Sequence, residues 1–412
     1  MTDFSKQTAL ATKRMREFFS PTPLQRNDHL SAIYDADIWL KREDLSPVRS
    51  YKLRGAYNAM SKQTDKQVFV CASAGNHAQG VAFVCRHMKK NGVIFMPVTT
   101  PQQKINKTKL FGGEWVEVRL VGDYFDDTLS ASKSHCKKVG GHFLSPFDDL
   151  DVIEGQATVT HEMLEQLGEA PDFYVLPVGG GGLSSSAQRL LLERAPETEI
   201  YFVEPSGGKS LAAALKAGKP TKIESVDTFV DGAAVAKIGD YTFQFLKEVN
   251  EDHVLAIPED RICTTILEML NIEGIVLEPA GALALDALKD ISAKIKGKKV
   301  VCVSSGGNFD FERLPEVKER AQRFIGVKKY FILRMPQRPG ALKEFLSLLG
   351  PDDDISRFEY LKKSARNFGT VLLGIETSSP ENFNSLSARL EKAGMSIRDI
   401  TCLLYTSDAA DE

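Results

Sequence analysis

Four consecutive glycines, Gly179-Gly180-Gly181-Gly182, follow the apolar run 173–178 and precede 184–193, a run of helix formers. Few folds accommodate such a stretch. A glycine inside regular structure costs roughly 0.5–1 kcal/mol relative to alanine, so four together belong to a turn that needs bare backbone. A strand, a glycine turn and a helix in that order present backbone N–H groups at a helix N-terminus, where an anion binds. The spacing is neither G-x-G-x-x-G nor G-x-x-x-x-G-K-[ST]. A dinucleotide or a Walker-type nucleotide therefore fits poorly, and a single phosphate monoester fits better.

The same punctuation recurs twice. The apolar run 68–72 leads into Ser73-Ala74-Gly75-Asn76-His77-Ala78-Gln79-Gly80 and a helical run to 89, and the apolar run 300–303 leads into Ser304-Ser305-Gly306-Gly307-Asn308. Around them, strand-like runs at 93–96, 115–120 and 200–203 alternate with helical runs at 103–111, 126–138 and 152–167. Such alternation predicts α/β architecture with open, mostly parallel sheets. Ligands of these sheets bind beyond the carboxyl ends of the strands, so the polar turns are expected to converge. One further run belongs with them. Ser50-Tyr51-Lys52-Leu53-Arg54-Gly55-Ala56-Tyr57-Asn58 is helix-like and holds a single lysine. A phosphate cup, a serine that can face a neutral ring nitrogen, an asparagine and a lysine together describe a site for pyridoxal 5′-phosphate. The hydroxyl and N–H groups of 73–77 suit a carboxylate.

Charge and composition remove other classes. The formal net charge of −3 gives no basic surface for nucleic acid. No apolar run reaches the roughly 18 residues of a membrane helix, and the polar, helix-like 1–19 lacks the apolar core of a signal peptide, so the expected location is the cytoplasm. The six cysteines form no C-x-x-C pair and read as reduced and structural. No histidine spacing argues for a metal.

Near 322–329 the pattern changes to a β-α-β-β-α-β order, that of a ferredoxin-like unit. The expected organisation is a first domain over 1–325, with a smaller subdomain at about 50–150, a second domain over 326–401, and a disordered or non-native tail over 402–412.

Five motifs carry a family resemblance: 50–56 around Lys52, 73–80, 179–183, Glu278-Pro279-Ala280-Gly281-Ala282, and Ser305-Gly306-Gly307-Asn308. In this order they resemble the fold type II (tryptophan synthase β-like) pyridoxal-phosphate family. Within it the chain is similar to the short biosynthetic threonine dehydratases with one ACT-like domain, a likeness that runs to about residue 401. The resemblance implies that Lys52 carries the cofactor covalently and acts as the base. It implies that Asn76 bonds the cofactor 3′-hydroxyl, that Gly179, Gly180, Gly181, Gly182 and Leu183 hold the phosphate, and that Ser305 pairs with the pyridine nitrogen. Ser73, Ala74, Gly75, Asn76 and His77 would bind the substrate carboxylate. The implied reaction is dehydration and deamination of L-threonine to 2-oxobutanoate and ammonia, the first step of isoleucine biosynthesis, in a homo-oligomer (tetramer or dimer). The implied effector is isoleucine, opposed by valine, near Arg338-Pro339-Gly340-Ala341-Leu342. The residues leave open serine dehydratase or racemase activity on L-serine, threonine synthase activity, and a non-catalytic amino-acid sensor. After Thr401 the sequence departs from the family pattern.

Overall fold

The computed structural model describes residues 3–361 and 368–402. Its contacts separate two compact units, Met1–Phe311 and Glu312–Glu412. The first unit contains β1 (Leu24–Arg26), β2 (Asp37–Arg42), β3 (Val68–Ala72), β4 (Asn91–Met96), β5 (Val116–Leu120), β6 (His142–Phe143), β7 (Phe173–Pro177), β8 (Glu199–Pro205), β9 (Val254–Ile257) and β10 (Lys299–Ser304). Six form a sheet in the order β1-β2-β10-β7-β8-β9, parallel except for β1. The other four form an all-parallel sheet, β5-β4-β3-β6. These are the open, mostly parallel sheets that the alternation predicts. Every residue of β7 is buried, as expected for strands covered on both faces, whose sequences read as unbroken apolar runs.

Short elements escape the sequence reading. β1 has three residues and β6 two, too few to show a period. The N-terminal helix spans Phe4–Arg16 rather than 1–19, with the Asp3 side chain accepting from Lys6 N. The chain leaves this helix at Glu17 and lays Phe18 on the Tyr57 ring, centroids 4.4 Å apart and planes 11° from parallel.

The helix Lys52–Lys62 buries every residue from Leu53 to Met60. Its neighbour Leu150–Leu167 approaches so closely that a Cβ on Gly155 would lie 2.6 Å from Arg54 O. Two buried polar side chains on this face are paired, as burial requires. Asn58 donates to Asp151 O at 2.7 Å. Arg54, with no exposed surface, forks onto Glu43 at 2.8 Å and Glu162 at 2.7 Å and reaches Thr22 and Thr158 at 3.1 Å. Lys41 also donates to Glu162, at 3.0 Å. Burial alone would raise the Glu162 carboxyl, but the Arg54 charge holds it well below the usual carboxylate range.

The second unit contains β11 (Lys328–Pro336), β12 (Asp354–Leu361), β13 (Phe368–Glu376) and β14 (Ser396–Asp399) in the antiparallel order β12-β13-β11-β14, with helices Ala341–Ser347 and Asn382–Lys392. This is the ferredoxin-like order. Its core packs Leu333, Val371 and Leu373 against Phe345, Leu386 and Leu390. Helix Leu314–Phe324 belongs to this unit, where Tyr330 Oη donates to Glu319 at 2.9 Å. The chain thus divides before this helix, at 311/312, rather than near 325 as the sequence suggested. Of the tail expected over 402–412, residues 403–412 lie outside the described residues. Among the described residues no helix is long and apolar enough to cross a membrane.

Candidate active site

Lys52 is the first residue of its helix, and the segment before it is tied to the carboxyl end of β10. Ser50 bridges Gly306, Tyr51 N donates to Ser305 O at 3.2 Å, and Gly307 N donates to Arg49 O at 2.9 Å. Arg49 takes a left-handed conformation, φ 59°, a strained geometry for a non-glycine residue of the kind that collects at functional sites. The Lys52 amine donates to Pro146 O at 3.1 Å. Burial lowers its pKa to about 8 against the opposing charge of Glu278, so part of it is neutral near physiological pH.

The segment 144–148 links this lysine to the glycine turn. His77 bonds Leu144 O through Nε2 at 3.1 Å. A carbonyl only accepts, so Nε2 carries the hydrogen. Burial, with the Lys52 charge adding, pushes His77 down to about 3 and keeps it neutral. Phe147 presses against the turn: a Cβ on Gly180 would sit 2.3 Å from its ring. Gly181 has φ 89° and precedes the helix Gly182–Arg194. Thr242 Oγ1 donates to Gly180 O at 2.8 Å, and the Asp148 carboxylate accepts from Tyr241 N at 2.8 Å. The turn is thus framed from two sides, and nothing larger than glycine fits at Gly180.

Among the described residues, none of the backbone N–H groups from Gly179 to Leu183 has a protein acceptor. All but Gly179 belong to buried residues. Buried donors are nearly always paired, and five at one helix N-terminus make a cradle for an anion. The cradle fits a phosphate monoester, and with Lys52 near the same framework the residues fit pyridoxal 5′-phosphate.

Asn76 begins the helix Asn76–Met88. Its Nδ2 donates to Glu278 at 2.6 Å and its Oδ1 accepts from Asn308 at 2.7 Å. Ser305, 2% exposed, donates to Ala280 O at 3.2 Å. Ser73 Oγ accepts from Gly75 N at 3.2 Å, while a Cβ on Gly75 would meet nothing within 4 Å. The 73–77 loop therefore opens onto free space at Gly75, with Ala74 N and Asn76 N uncommitted among the described residues. The five motifs are knit together: 49–51 to 305–307, 76 to 278, 305 to 280, and 52 through Pro146 and Phe147 to Gly180. Sequence reasoning gave no role to Pro146, Phe147 and Asp148. The one signal there is the Ser145-Pro146 turn before a capping Asp149, which indicates a loop and no chemistry. Glu278 stood in a motif without a function. Among the described residues no cluster of His, Cys, Asp or Glu is set to hold a metal ion.

Comparison with known proteins places the chain in a family. The family model described as "Pyridoxal-phosphate dependent enzyme" matches residues 15–306, and that described as "C-terminal regulatory domain of Threonine dehydratase" matches 319–402. The chain is 48% identical over 392 residues to "L-threonine dehydratase biosynthetic IlvA" of Bacillus subtilis (strain 168), covering 94% of this chain and 92% of the relative. Among solved structures, the processed form of threonine deaminase isoform 2 from Solanum lycopersicum superposes with a TM-score of 0.72 at 35% identity, over 78% of this chain and 94% of that one. A serine racemase from Dictyostelium discoideum follows at 0.67 and 29%, over 74% and 98%.

Proposed function

The chain belongs to the pyridoxal-phosphate dependent enzymes and carries the C-terminal regulatory domain of threonine dehydratase, and from that premise we propose how its residues divide the work. The protein is a lyase that uses pyridoxal 5′-phosphate to dehydrate and deaminate L-threonine, giving 2-oxobutanoate and ammonia for isoleucine biosynthesis. The observation that carries the assignment of roles is the half-buried Lys52 amine, lowered to about 8 by desolvation, on the same framework as the unpaired donors of 179–183.

When bound, the cofactor supplies an electron sink for charge that develops at the substrate α-carbon. Lys52 anchors it through the amine. The same Lys52 amine would take the substrate α-proton, a task suited to a lysine with a depressed pKa. Gly179 to Leu183 hold the phosphate through backbone N–H groups. Ser305 offers the ring nitrogen a neutral hydroxyl. Asn76 donates to the 3′-oxygen. The N–H groups of Ala74 and Asn76, in the loop shaped by Ser73 and Gly75, orient the substrate carboxylate, and neutral His77 holds the loop to Leu144 O. These placements are supported by the close packing of the five motifs. Formation of 2-oxobutanoate from L-threonine, compared with the 2-oxo acid from L-serine, tests the reaction. A visible absorption band that survives Lys52→Ala would overturn the anchor.

The second unit supports amino-acid regulation. We infer isoleucine as the effector, opposed by valine, at the turn Arg338-Pro339-Gly340 before helix Ala341–Ser347, in a homo-oligomer of two or four chains in the cytoplasm. A change in the substrate-saturation curve on adding isoleucine checks this, and an unchanged curve rejects it.

A further inference from the structure

Glu278 has no part in the reaction as described, yet it is 6% exposed, and a buried carboxyl must earn its place through its partners. It stands before the helix Pro279–Asp286, its N–H donating to Gly306 O at 3.2 Å. Its side chain accepts from Asn76 Nδ2 at 2.6 Å. The fit is close, since a Cβ on Gly306 would lie 2.1 Å from Glu278 Oε1 and 3.3 Å from Asn76 Nδ2.

The bond is the end of a directed chain. Lys107 donates to Asn308 Oδ1. An ammonium only donates, so that end of Asn308 is oxygen. Asn308 Nδ2 then donates to Val48 O at 2.9 Å and to Asn76 Oδ1 at 2.7 Å. With the oxygen of Asn76 committed, its NH2 group must face Glu278. That group has two hydrogens: one serves Glu278, and the other has no acceptor among the described residues.

We infer that Glu278 is a positioning residue that acts through Asn76: by holding one N–H it aims the other at the 3′-oxygen of the cofactor and favours that oxygen as an anion. The inference rests on the reading of Lys52 and the glycine turn given above. Charges around the carboxyl make its action depend on pH. Burial, with Asp231 adding, lifts its pKa to about 7, while Asn76, Lys104 and Lys107 oppose. Lys52 and Tyr51 face it as well. Protonation weakens the carboxyl as an acceptor, so the hold on Asn76 is firm above about 7 and relaxes below.

The test is a double-mutant cycle on the full chain, stripped of cofactor and titrated with pyridoxal 5′-phosphate by equilibrium dialysis. Glu278→Ala should weaken binding by about tenfold, and in an Asn76→Ala background by less than about twofold, because the two residues act as a unit. Glu278→Gln, whose amide oxygen still accepts, should bind within about threefold of the parent at about pH 8 and lose the parent's weakening toward about pH 6. Equal losses in both backgrounds, or no loss in the parent, would overturn the inference. Should Glu278→Ala not fold by circular dichroism, Glu278→Gln decides, and a pH profile matching the parent's rejects the role. A parent chain that takes up no cofactor would instead sink the reading of Lys52, and this one with it.

Discussion

Around Arg54 the buried charges find partners inside the protein; around Gly179–Leu183 the buried donors do not. The first is centred on the helix that Lys52 begins; the second meets that lysine through Pro146 and Phe147. Arg54 spends its fork on Glu43, Glu162, Thr22 and Thr158, while the N–H groups of 179–183 have no protein acceptor among the described residues. An unpaired buried polar group costs roughly 1–3 kcal/mol. Removing one partner from a closed ionic cluster costs more, because it strands the others. The first arrangement holds a scaffold still and the second is kept for a ligand, so mutations in the two should separate stability from binding.

The largest effect is expected from Arg54→Met. It leaves Glu43 and Glu162 buried and facing each other without their common partner, and should cost on the order of 3–5 kcal/mol, read as a shift in denaturant midpoint. Cofactor affinity of the protein that still folds should change by less than about threefold. A large loss of affinity at unchanged stability would break the comparison, since the cluster would then belong to the site. Gly180→Ala is the converse. Its Cβ would lie 2.3 Å from the Phe147 ring, so the ring and the turn must shift. Overpacking of this kind costs roughly 1–3 kcal/mol, and the displaced donors should weaken cofactor binding by at least about tenfold. Adding Phe147→Leu should recover stability more than binding. Full recovery of both would mean that the turn tolerates a side chain and that its bare backbone is not what binds.

A smaller effect follows from the Lys52 amine. Only the neutral amine attacks an aldehyde, and burial has brought its pKa from 10.5 to about 8. The stripped enzyme should therefore capture pyridoxal 5′-phosphate at a rate that rises with pH and levels off above about 8, as followed by stopped-flow absorbance. A rate still climbing at pH 10.5 would mark an ordinary lysine.

What the sequence showed of this comparison is uneven for a physical reason. The glycine turn was legible because bare backbone requires one residue type in one place. The strands before the turns were legible as unbroken apolar runs, and those of the second unit from their position in a β-α-β-β-α-β order. The Arg54 cluster was not, because Thr22, Lys41, Glu43, Thr158 and Glu162 are scattered along the chain and each reads locally as a surface residue. Phe147 and Glu278 were hidden in the same way: their roles depend on Gly180 and Asn76, partners that only the packing of both sheets supplies. Lys52 lies between these cases, unremarkable alone and distinguished by the turns around it.

The smallest expected effect, and the one that asks most of the site, is at Ser305. Its hydroxyl donates to Ala280 O at 3.2 Å from a position 2% exposed. A neutral hydroxyl does not hold a proton on a ring nitrogen, whereas a carboxylate would. Ser305→Asp should therefore deepen the electron sink and divert a larger fraction of turnovers to side reactions such as transamination, by about tenfold from a small base. The same substitution sets a carboxylate against the Ala280 carbonyl, two acceptors with no hydrogen between them. The stripped variant should lose roughly 1–3 kcal/mol of stability, and added cofactor should return part of it, because a protonated ring nitrogen then supplies the missing donor. An unchanged ratio of 2-oxobutanoate to side product would remove Ser305 from the ring nitrogen. Lost stability that cofactor does not restore would place this serine with the closed, structural group around Arg54 rather than with the ligand-facing group at Gly179–Leu183.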